Sequence, residues 1–170
     1  MKKLFKKLFK KKSKTHYYPT DVWSEVAEKY DIKKKLWAYV KMWDPEYIGD
    51  GVILYGEIFG AGIQKGYDYG LKDIEFAAFD VKKNGEYLSA PEAFSVVGFL
   101  NLEYVPILYY GYWSQKVQDK YVFNNFIAAT KIPHEGIVIK IHTGERYKVA
   151  KVINPDYLIF AEKHNVEDSH

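Results

Sequence analysis

The sequence contains no cysteine, a single arginine and no apolar run of membrane-spanning length. Without cysteine there is no disulfide framework, no thiolate zinc site and no cysteine nucleophile. Because Arg146 is the one arginine, lysine has to supply most of the anion binding. The start of the chain also lacks the continuous apolar segment of a secretory signal. These absences predict a cytoplasmic protein without a membrane partner.

Lysine, in contrast, is abundant at the start of the chain. Eight lysines precede the first acidic residue, Asp21, and the rest of the chain carries 17 basic and 22 acidic residues. Residues 1–16 are therefore interpreted as a basic arm on a mildly acidic body. Apolar residues recur in the arm at helical spacing, which favours a short solvated helix. Contact with an RNA backbone is the next alternative, and contact with a membrane surface the last.

A chain of 170 residues that is 48% hydrophobic and 18% aromatic is long enough for one domain with a buried core. We expect that domain over residues 17–162, followed by a polar tail over 163–170. The elements predict an α+β fold, with a mixed or antiparallel sheet and helices on its outer faces.

Hydrophobic periodicity, turn residues and caps place the individual elements. A helix is predicted over Asp21–Val40 with Thr20 as its N-cap, a second from the capping box Ser89–Glu92 to about Leu100, and a short third over Trp113–Val122. Strands are predicted over Gly51–Phe59, Asp73–Val81, Val105–Tyr110, Gly136–Ile141 and Arg146–Ile153. Asn84-Gly85 is a hairpin signal, His142–Glu145 a second turn, and Tyr157 and Leu158 are expected to pack beneath the last strand.

Four segments that contain candidate functional residues follow one another along the chain. They are LYGEIFGAGIQ (Leu54–Gln64), FAAFDV (Phe76–Val81), EGIVIK (Glu135–Lys140) and KVAKVINPDYL (Lys148–Leu158). Each is weak alone, but the four in this order are much more specific. Their order and spacing resemble the covalent nucleotidyltransferases, and more closely the RNA ligase 2-like branch of ATP-dependent RNA ligases found in phages and elsewhere.

The resemblance covers most of the chain, from about Gly51 to Leu158. It implies an ATP-grasp-like nucleotidyltransferase (adenylation) domain that seals 5′-phosphate and 3′-hydroxyl RNA ends. ATP and Mg²⁺ are the implied cofactors, and RNA with a 5′-phosphate end is the implied partner.

Glu57 and Phe79 are candidates for nucleoside contacts. Glu57 lies where a strand leads into a glycine-rich loop, and a carboxylate there can accept hydrogen bonds from ribose hydroxyls. Taken alone, a strand-end carboxylate satisfied by nearby N–H groups is the simpler explanation. Phe79 can stack on a purine beside the small Ala77, although most phenylalanines serve only the core. The resemblance implies a ribose contact at Glu57 and an adenine contact at Phe79, with Asp80 in a weak role.

The later segments carry candidates for metal and phosphate contacts. Glu135 can hold Mg²⁺ near phosphates, since Mg²⁺ takes oxygen ligands and keeps waters. The resemblance implies that Val138 covers the other adenine face, and Lys140 shares its side of the strand. An ammonium from Lys151 or Lys148 can neutralise the α-phosphate during transfer. Lys151 is preferred, because KVINPDYL resembles the terminal motif of the family. The spacing in that branch is Lys-x-Lys, whereas Lys-x-x-Lys here makes Lys148 face the opposite side and argues against a clamp of two lysines.

The lysine that carries AMP in the family is not found. It attacks the α-phosphate of ATP, and AMP then passes from the lysine to the RNA 5′-phosphate. It belongs to a Lys-x-Asp-Gly-like motif before the Glu57 strand, but Ile48 occupies that position ahead of Asp50-Gly51. Lys82–Gly85 follows Phe79 and is interpreted as a turn. We expect a chain that begins after the nucleophile motif and is inactive alone. It could be a truncated gene product, a fragment, or one half of a split enzyme whose partner carries the missing segment.

Two other functions stay open. The chain could be a non-catalytic RNA-binding module that uses the basic arm, or, with less support, a membrane-surface protein. A hydrolase is disfavoured because the five histidines, among them His134 beside Glu135, show no metal or triad spacing.

Overall fold

The computed structural model describes residues 22–43, 51–127, 130–143 and 146–166. Within them the chain is α+β, with five helices and two small antiparallel sheets. The elements are α1 (Val22–Lys29), α2 (Ile32–Trp43), β1 (Val52–Gly60), β2 (Ile74–Lys83), β3 (Glu86–Tyr87), α3 (Ala90–Phe99), α4 (Gln115–Val122), β4 (Gly136–Thr143), β5 (Arg146–Ile153) and α5 (Pro155–His164). No helix among these is long and apolar enough to cross a bilayer.

Several predicted features lie outside the described residues. They are the basic arm, the Thr20 cap, the Ile48–Asp50 segment, two residues of the His142–Glu145 turn and the last four residues of the tail.

The described chain forms two compact units. The first unit comprises the residues up to Ile58 together with Glu75–Val105, and the second comprises Phe59–Ile74 and the residues from Pro106 onward.

In the first unit, the single helix predicted over Asp21–Val40 is wrong, because two helices occupy this stretch. α1 ends at Lys29 and α2 begins at Ile32. Between them Asp31 has a φ of 52°, in the left-handed region, and its amide donates to the Glu28 carbonyl. The apolar spacing runs across this break without interruption, so periodicity alone did not reveal it.

The three-stranded sheet β1–β2–β3 lies mostly in the first unit. β1 alternates buried and half-buried residues along its whole length. β2 and β3 pair through Lys83 and Glu86, and Asn84 and Gly85 both have positive φ, as a type I′ turn requires. The hairpin predicted from Asn84-Gly85 is therefore confirmed.

Buried apolar residues of three helices and the sheet form the core of the first unit. Among the most buried are Val26, Ile32, Leu36, Leu54, Phe76, Val97 and Leu100. The Phe76 ring lies 6.0 Å from the Tyr30 ring, which brings the end of α1 onto β2.

Helix α3 begins as the sequence predicts. The Ser89 side chain accepts from the Glu92 amide, and the Glu92 carboxylate accepts from the Ser89 amide. The strand predicted over Val105–Tyr110 is wrong. Tyr104 makes an isolated parallel bridge with Ala78, and the pairing stops there. Pro106 has no amide proton with which to continue a ladder.

In the second unit, β4 and β5 form an antiparallel hairpin of eight pairs, from Gly136 opposite Ile153 to Thr143 opposite Arg146. Helix α4 begins after Ser114, whose side chain accepts from the Val117 amide. Both strands and the short helix were predicted.

Helix α5 was not predicted. Its N-cap is Asn154, whose side chain accepts from the Asp156 amide, and Pro155 lies in its first turn. Tyr157 is buried, as expected, but Leu158 is 57% exposed and so does not pack beneath the strand. Neighbours three or four residues apart in a helix share a face, whereas consecutive residues do not.

An aromatic cluster fixes α5 within the second unit. The Tyr67 ring makes edge contacts with the rings of Tyr69, Tyr157 and Phe160. The Tyr67 hydroxyl donates to the Pro133 carbonyl at 2.8 Å. A buried tyrosine is stable when its hydroxyl has such a partner, so Tyr67 links the loop before β4 to the helix after β5.

Candidate functional site

Glu57 lies on the half-buried side of β1, in the first unit. The strand around it is closely packed. A Cβ at Gly56 would lie 2.2 Å from an atom of the Phe76 ring, so glycine is required there. Three residues after Glu57 the strand ends at Gly60, which has a φ of 101°. A Cβ at Gly60 would lie 2.3 Å from the Asp73 carbonyl oxygen, so both glycines permit close backbone approach.

Phe79 lies on β2 in the same unit and is half-buried, between the buried Ala78 and Asp80. Its carbonyl accepts a hydrogen bond of 2.9 Å from the Tyr104 hydroxyl. The amide and carbonyl of Ala78 pair with the backbone of Glu103 and Val105. The backbone at Phe79 is thus held on one side by the chain that follows α3, while part of its ring stays accessible.

The buried carboxylate of Asp80 affects two tyrosines. Burial, with Asp80 as the second cause, raises the pKa of Tyr104 to about 12. Burial, the Tyr87 hydroxyl and Asp80 together raise the pKa of Tyr55 to about 12. Both tyrosines therefore remain neutral at physiological pH, and the Tyr104 hydroxyl keeps the proton that it donates to the Phe79 carbonyl.

Glu135 and Lys151 come together at the base of the β4–β5 hairpin, in the second unit. The Lys151 ammonium forms an ion pair with Oε1 of Glu135, and the side chains of Lys151 and Glu135 are 30% and 24% exposed. Val138 stands directly opposite Lys151 in the ladder and is half exposed. The second unit therefore brings together three of the predicted residues, namely a carboxylate, an ammonium and an accessible valine.

The hairpin register separates the other two lysines. Lys140 pairs with Val149, two positions from the Val138–Lys151 pair, so it lies on the same face as Lys151. Lys148 pairs with Ile141 and faces the other way. The opposite orientation of Lys148, predicted from the Lys-x-x-Lys spacing, is confirmed, and Lys151 and Lys148 do not form a clamp on one face.

Asn154 is a supporting residue that the sequence reasoning missed. It is completely buried. Its side-chain amide donates to the carbonyls of His134 and Asn125, at 3.0 and 3.3 Å, while its backbone amide donates to the Glu135 carbonyl. Asn before Pro at a helix start is a known capping pattern, and this signal could have located both α5 and Asn154.

Gly136 determines how the chain passes from Glu135 into β4. Its φ is 154°, and a Cβ there would lie 2.1 Å from the Val152 carbonyl oxygen. The neighbouring His134 is half-buried, and burial lowers the pKa of its imidazole below the ordinary value of 6.5. A neutral imidazole adds no positive charge beside the Glu135–Lys151 pair.

At this position the protein could supply only some of the ligands of a divalent cation. The residues that the structure describes contain no group of three or more histidine, aspartate or glutamate side chains suited to a metal. Mg²⁺, however, commonly uses one or two carboxylates and completes its shell with waters and substrate phosphates. The single carboxylate of Glu135 fits that mode, with Lys151 occupying one of its oxygens.

Comparison with known proteins adds one match. A family model described as RNA ligase matches residues 5–153, which is most of the chain and includes Glu57, Phe79, Glu135 and Lys151. No curated protein and no solved structure matches.

Proposed function

Since the chain belongs to the RNA ligase family, we propose that it is an adenylation core that binds ATP or AMP in the joining of RNA ends. The family match suggests RNA end joining and an RNA substrate. The proposal adds the cofactors, the residue roles and a 5′-phosphate on the RNA.

Each unit contributes separate roles in this proposal. In the first unit, Glu57 accepts hydrogen bonds from ribose hydroxyls and Phe79 stacks on adenine. In the second unit, Val138 offers an apolar contact and Lys140 a polar contact to a nucleotide. Stacking suits Phe79 because its ring is half-buried and its backbone is fixed by Tyr104.

The observation that carries the proposal is the Glu135–Lys151 ion pair opposite Val138. The carboxylate of Glu135 can hold Mg²⁺, which would draw charge from the phosphates when bound. The ammonium of Lys151 neutralises charge that develops on the α-phosphate, and a preset, partly buried ammonium does so better than a solvated one. Lys148 lies on the other face of the hairpin and takes no part in this contact.

The covalent step requires a further group. The sequence has no Lys-x-Asp-Gly motif before β1, with Ile48 at the lysine position. We therefore expect no lysyl–AMP on this chain alone, and a segment supplied in trans by a partner would have to bring the nucleophile. Incubation with radiolabelled ATP and Mg²⁺, followed by a denaturing gel, tests this. A labelled band on the purified chain would contradict it.

Nucleotide binding is measured by isothermal titration calorimetry of the full chain with ATP and with AMP. Removal of the Phe79 ring in Phe79→Ala should cost about 1–3 kcal/mol of binding free energy, because the stacking surface is lost. Lys151→Met should weaken ATP more than AMP, since ATP carries more negative charge. Phe99→Ala is the matched control, because Phe99 is an exposed aromatic residue of the same unit.

Two results would contradict the proposal. One is the absence of heat with either nucleotide at millimolar concentration for the unmodified chain. The other is equal affinity for Phe79→Ala, Phe99→Ala and the unmodified chain.

A further inference from the structure

The second unit carries exposed aromatic side chains that have no role in the adenylation chemistry. Tyr109, Tyr110, Tyr112 and Trp113, together called the aromatic surface, follow one another between the end of the first unit and α4. Tyr112 is 97% exposed, Tyr110 75% and Trp113 56%. Large contiguous aromatic exposure of this kind marks a binding surface more often than chance.

The loop that carries the aromatic surface has a fixed conformation. The Tyr109 hydroxyl donates to the Tyr112 carbonyl at 3.3 Å, and the Tyr109 ring lies 6.3 Å from that of Tyr121 on α4. Gly111 permits this fold, because a Cβ there would lie 2.7 Å from the Tyr109 hydroxyl oxygen. Ser114 then caps α4 directly after the loop. A ligand that binds here loses little affinity to ordering the protein.

Positive charge lies on α4, the helix that directly follows these rings. Lys116 and Lys120 are exposed on α4, and the Lys120 ammonium is 4.9 Å from the centre of the Tyr121 ring. Asp119, the one acidic residue of α4, accepts from the Gln115 side chain at 2.7 Å. Aromatic faces with neighbouring lysines are the combination that proteins use for single-stranded nucleic acid, where bases stack and phosphates meet ammonium groups.

We propose that the aromatic surface binds unpaired nucleotides of the RNA by base stacking, with Lys116 and Lys120 at the adjacent phosphates. The proposal rests on the proposed function in taking RNA as the ligand, but it uses none of the nucleotide-contacting residues. Bases in a duplex present only their edges, so this surface favours single-stranded RNA ends over a fully paired helix.

The test is fluorescence anisotropy of the full chain with a labelled, 5′-phosphorylated single-stranded oligoribonucleotide and with a blunt duplex of the same sequence. Tyr112→Ala and Tyr110→Ala should each weaken single-strand binding about tenfold, within the range of one lost base stack. Duplex binding should stay unchanged. Tyr112→Phe keeps the ring and should bind like the unmodified chain, while Tyr112→Leu should not.

The salt dependence of RNA affinity distinguishes base stacking from contacts between lysines and phosphates. The ratio of affinities between the unmodified chain and Tyr112→Ala should remain constant as salt rises, because stacking releases no counterions. The ratio of affinities between the unmodified chain and the double variant Lys116→Ala, Lys120→Ala should fall toward one as the salt concentration rises. Phe94→Ala is the matched control, since Phe94 is 53% exposed and belongs to the other unit.

Several outcomes would overturn the proposal. Unchanged single-strand affinity in Tyr110→Ala and Tyr112→Ala removes it, and full binding by Tyr112→Leu reassigns the surface to an apolar protein contact. Equal loss on duplex and single strand also contradicts it. ATP titration of the same variants distinguishes the two proposals, because these substitutions should leave nucleotide affinity unchanged, whereas Phe79→Ala should reduce it.

Discussion

The sheet of the first unit and the hairpin of the second unit support their candidate residues in different ways. In the sheet, β1 buries every second residue, and Leu54 and Phe76 belong to a core shared with α1 and α2. In the hairpin, Val138, Ile141 and Val149 are all 43–55% exposed. Glu57 and Phe79 thus lie on a strand pair with a buried face, whereas Glu135 and Lys151 lie on a strand pair with little burial of its own.

The hairpin depends on contacts at its base. There Asn154 is completely buried and bonds to the carbonyls of His134 and Asn125, and Gly136 lies against the Val152 carbonyl. A hairpin without a buried face is marginally stable in water. The geometry of the Glu135–Lys151 pair therefore relies strongly on Asn154 and Gly136, while that of Glu57 and Phe79 is supported by a core.

Among the substitutions that test this difference between sheet and hairpin, Gly136→Ala should have the largest effect on the free energy of unfolding. Its Cβ would lie 2.1 Å from a backbone oxygen, and the φ of 154° is unfavourable for alanine. We expect a loss of about 3 kcal/mol in the free energy of unfolding, measured by urea denaturation. Gly98→Ala is the control, because nothing lies within 4 Å of its Cβ and a helical alanine stabilises by up to about 1 kcal/mol. Similar stability of the two variants would contradict the strain argument.

The second effect compares the N-caps of the two units. Asn154→Ala removes a cap and takes away the side-chain donor to the half-buried carbonyls of His134 and Asn125, of which the Asn125 carbonyl keeps the His134 amide. The loss should be about 2 kcal/mol. Ser89→Ala removes the more exposed cap of α3 and should cost about 1 kcal/mol.

Asn154→Asp refines the cap comparison. Aspartate can still accept from the Asp156 amide but cannot donate to the carbonyls of His134 and Asn125. If capping alone mattered, Asn154→Asp would match the unmodified chain in thermal unfolding. We expect it to resemble Asn154→Ala instead.

Local signals in the sequence predicted much of the fold. The apolar runs of β1 and β2, the Asn84-Gly85 turn and the Ser89–Glu92 capping box act within a few residues, so the sequence displays them directly. The break at Asp31, the end of pairing at Pro106 and the helix α5 were missed. Pro106 and the Asn154-Pro155 cap are local signals that the strand and turn assignments overlooked. The break at Asp31 falls inside an uninterrupted apolar pattern, and periodicity does not report it.

In the candidate site too, local features were predicted from the sequence and features that depend on strand pairing or packing were not. Strand alternation correctly predicted that Lys148 and Lys151 face opposite sides, because the period of two is a property of the strand itself. The ion pair between Glu135 and Lys151 joins residues sixteen positions apart and depends on the hairpin register. Asn154 was missed as a support because an asparagine after a strand is usually only a turn residue.

The smallest expected effect concerns Glu75, an exposed carboxylate at the start of the sheet in the first unit. The Tyr30 hydroxyl donates to it, and the Lys29 ammonium lies 3.3 Å from its Oε1. The Tyr30 hydroxyl first, and Lys29 second, hold the pKa of Glu75 below its ordinary value of 4.5. Because the folded-state pKa is the lower one, the stabilisation is present above pH 4.5 and is lost as the pH falls through the folded-state pKa.

Glu75→Gln isolates the charge, since the amide oxygen can still accept from Tyr30. At neutral pH the variant should lose less than about 1 kcal/mol, as expected for an exposed pair. Its unfolding free energy should converge with that of the unmodified chain in acid, and added salt should reduce the difference. Glu28→Gln, an exposed change on α1, should show no such convergence. A Glu75→Gln deficit that stayed constant from neutral to acid pH would mean that packing, and not charge, joins α1 to the sheet.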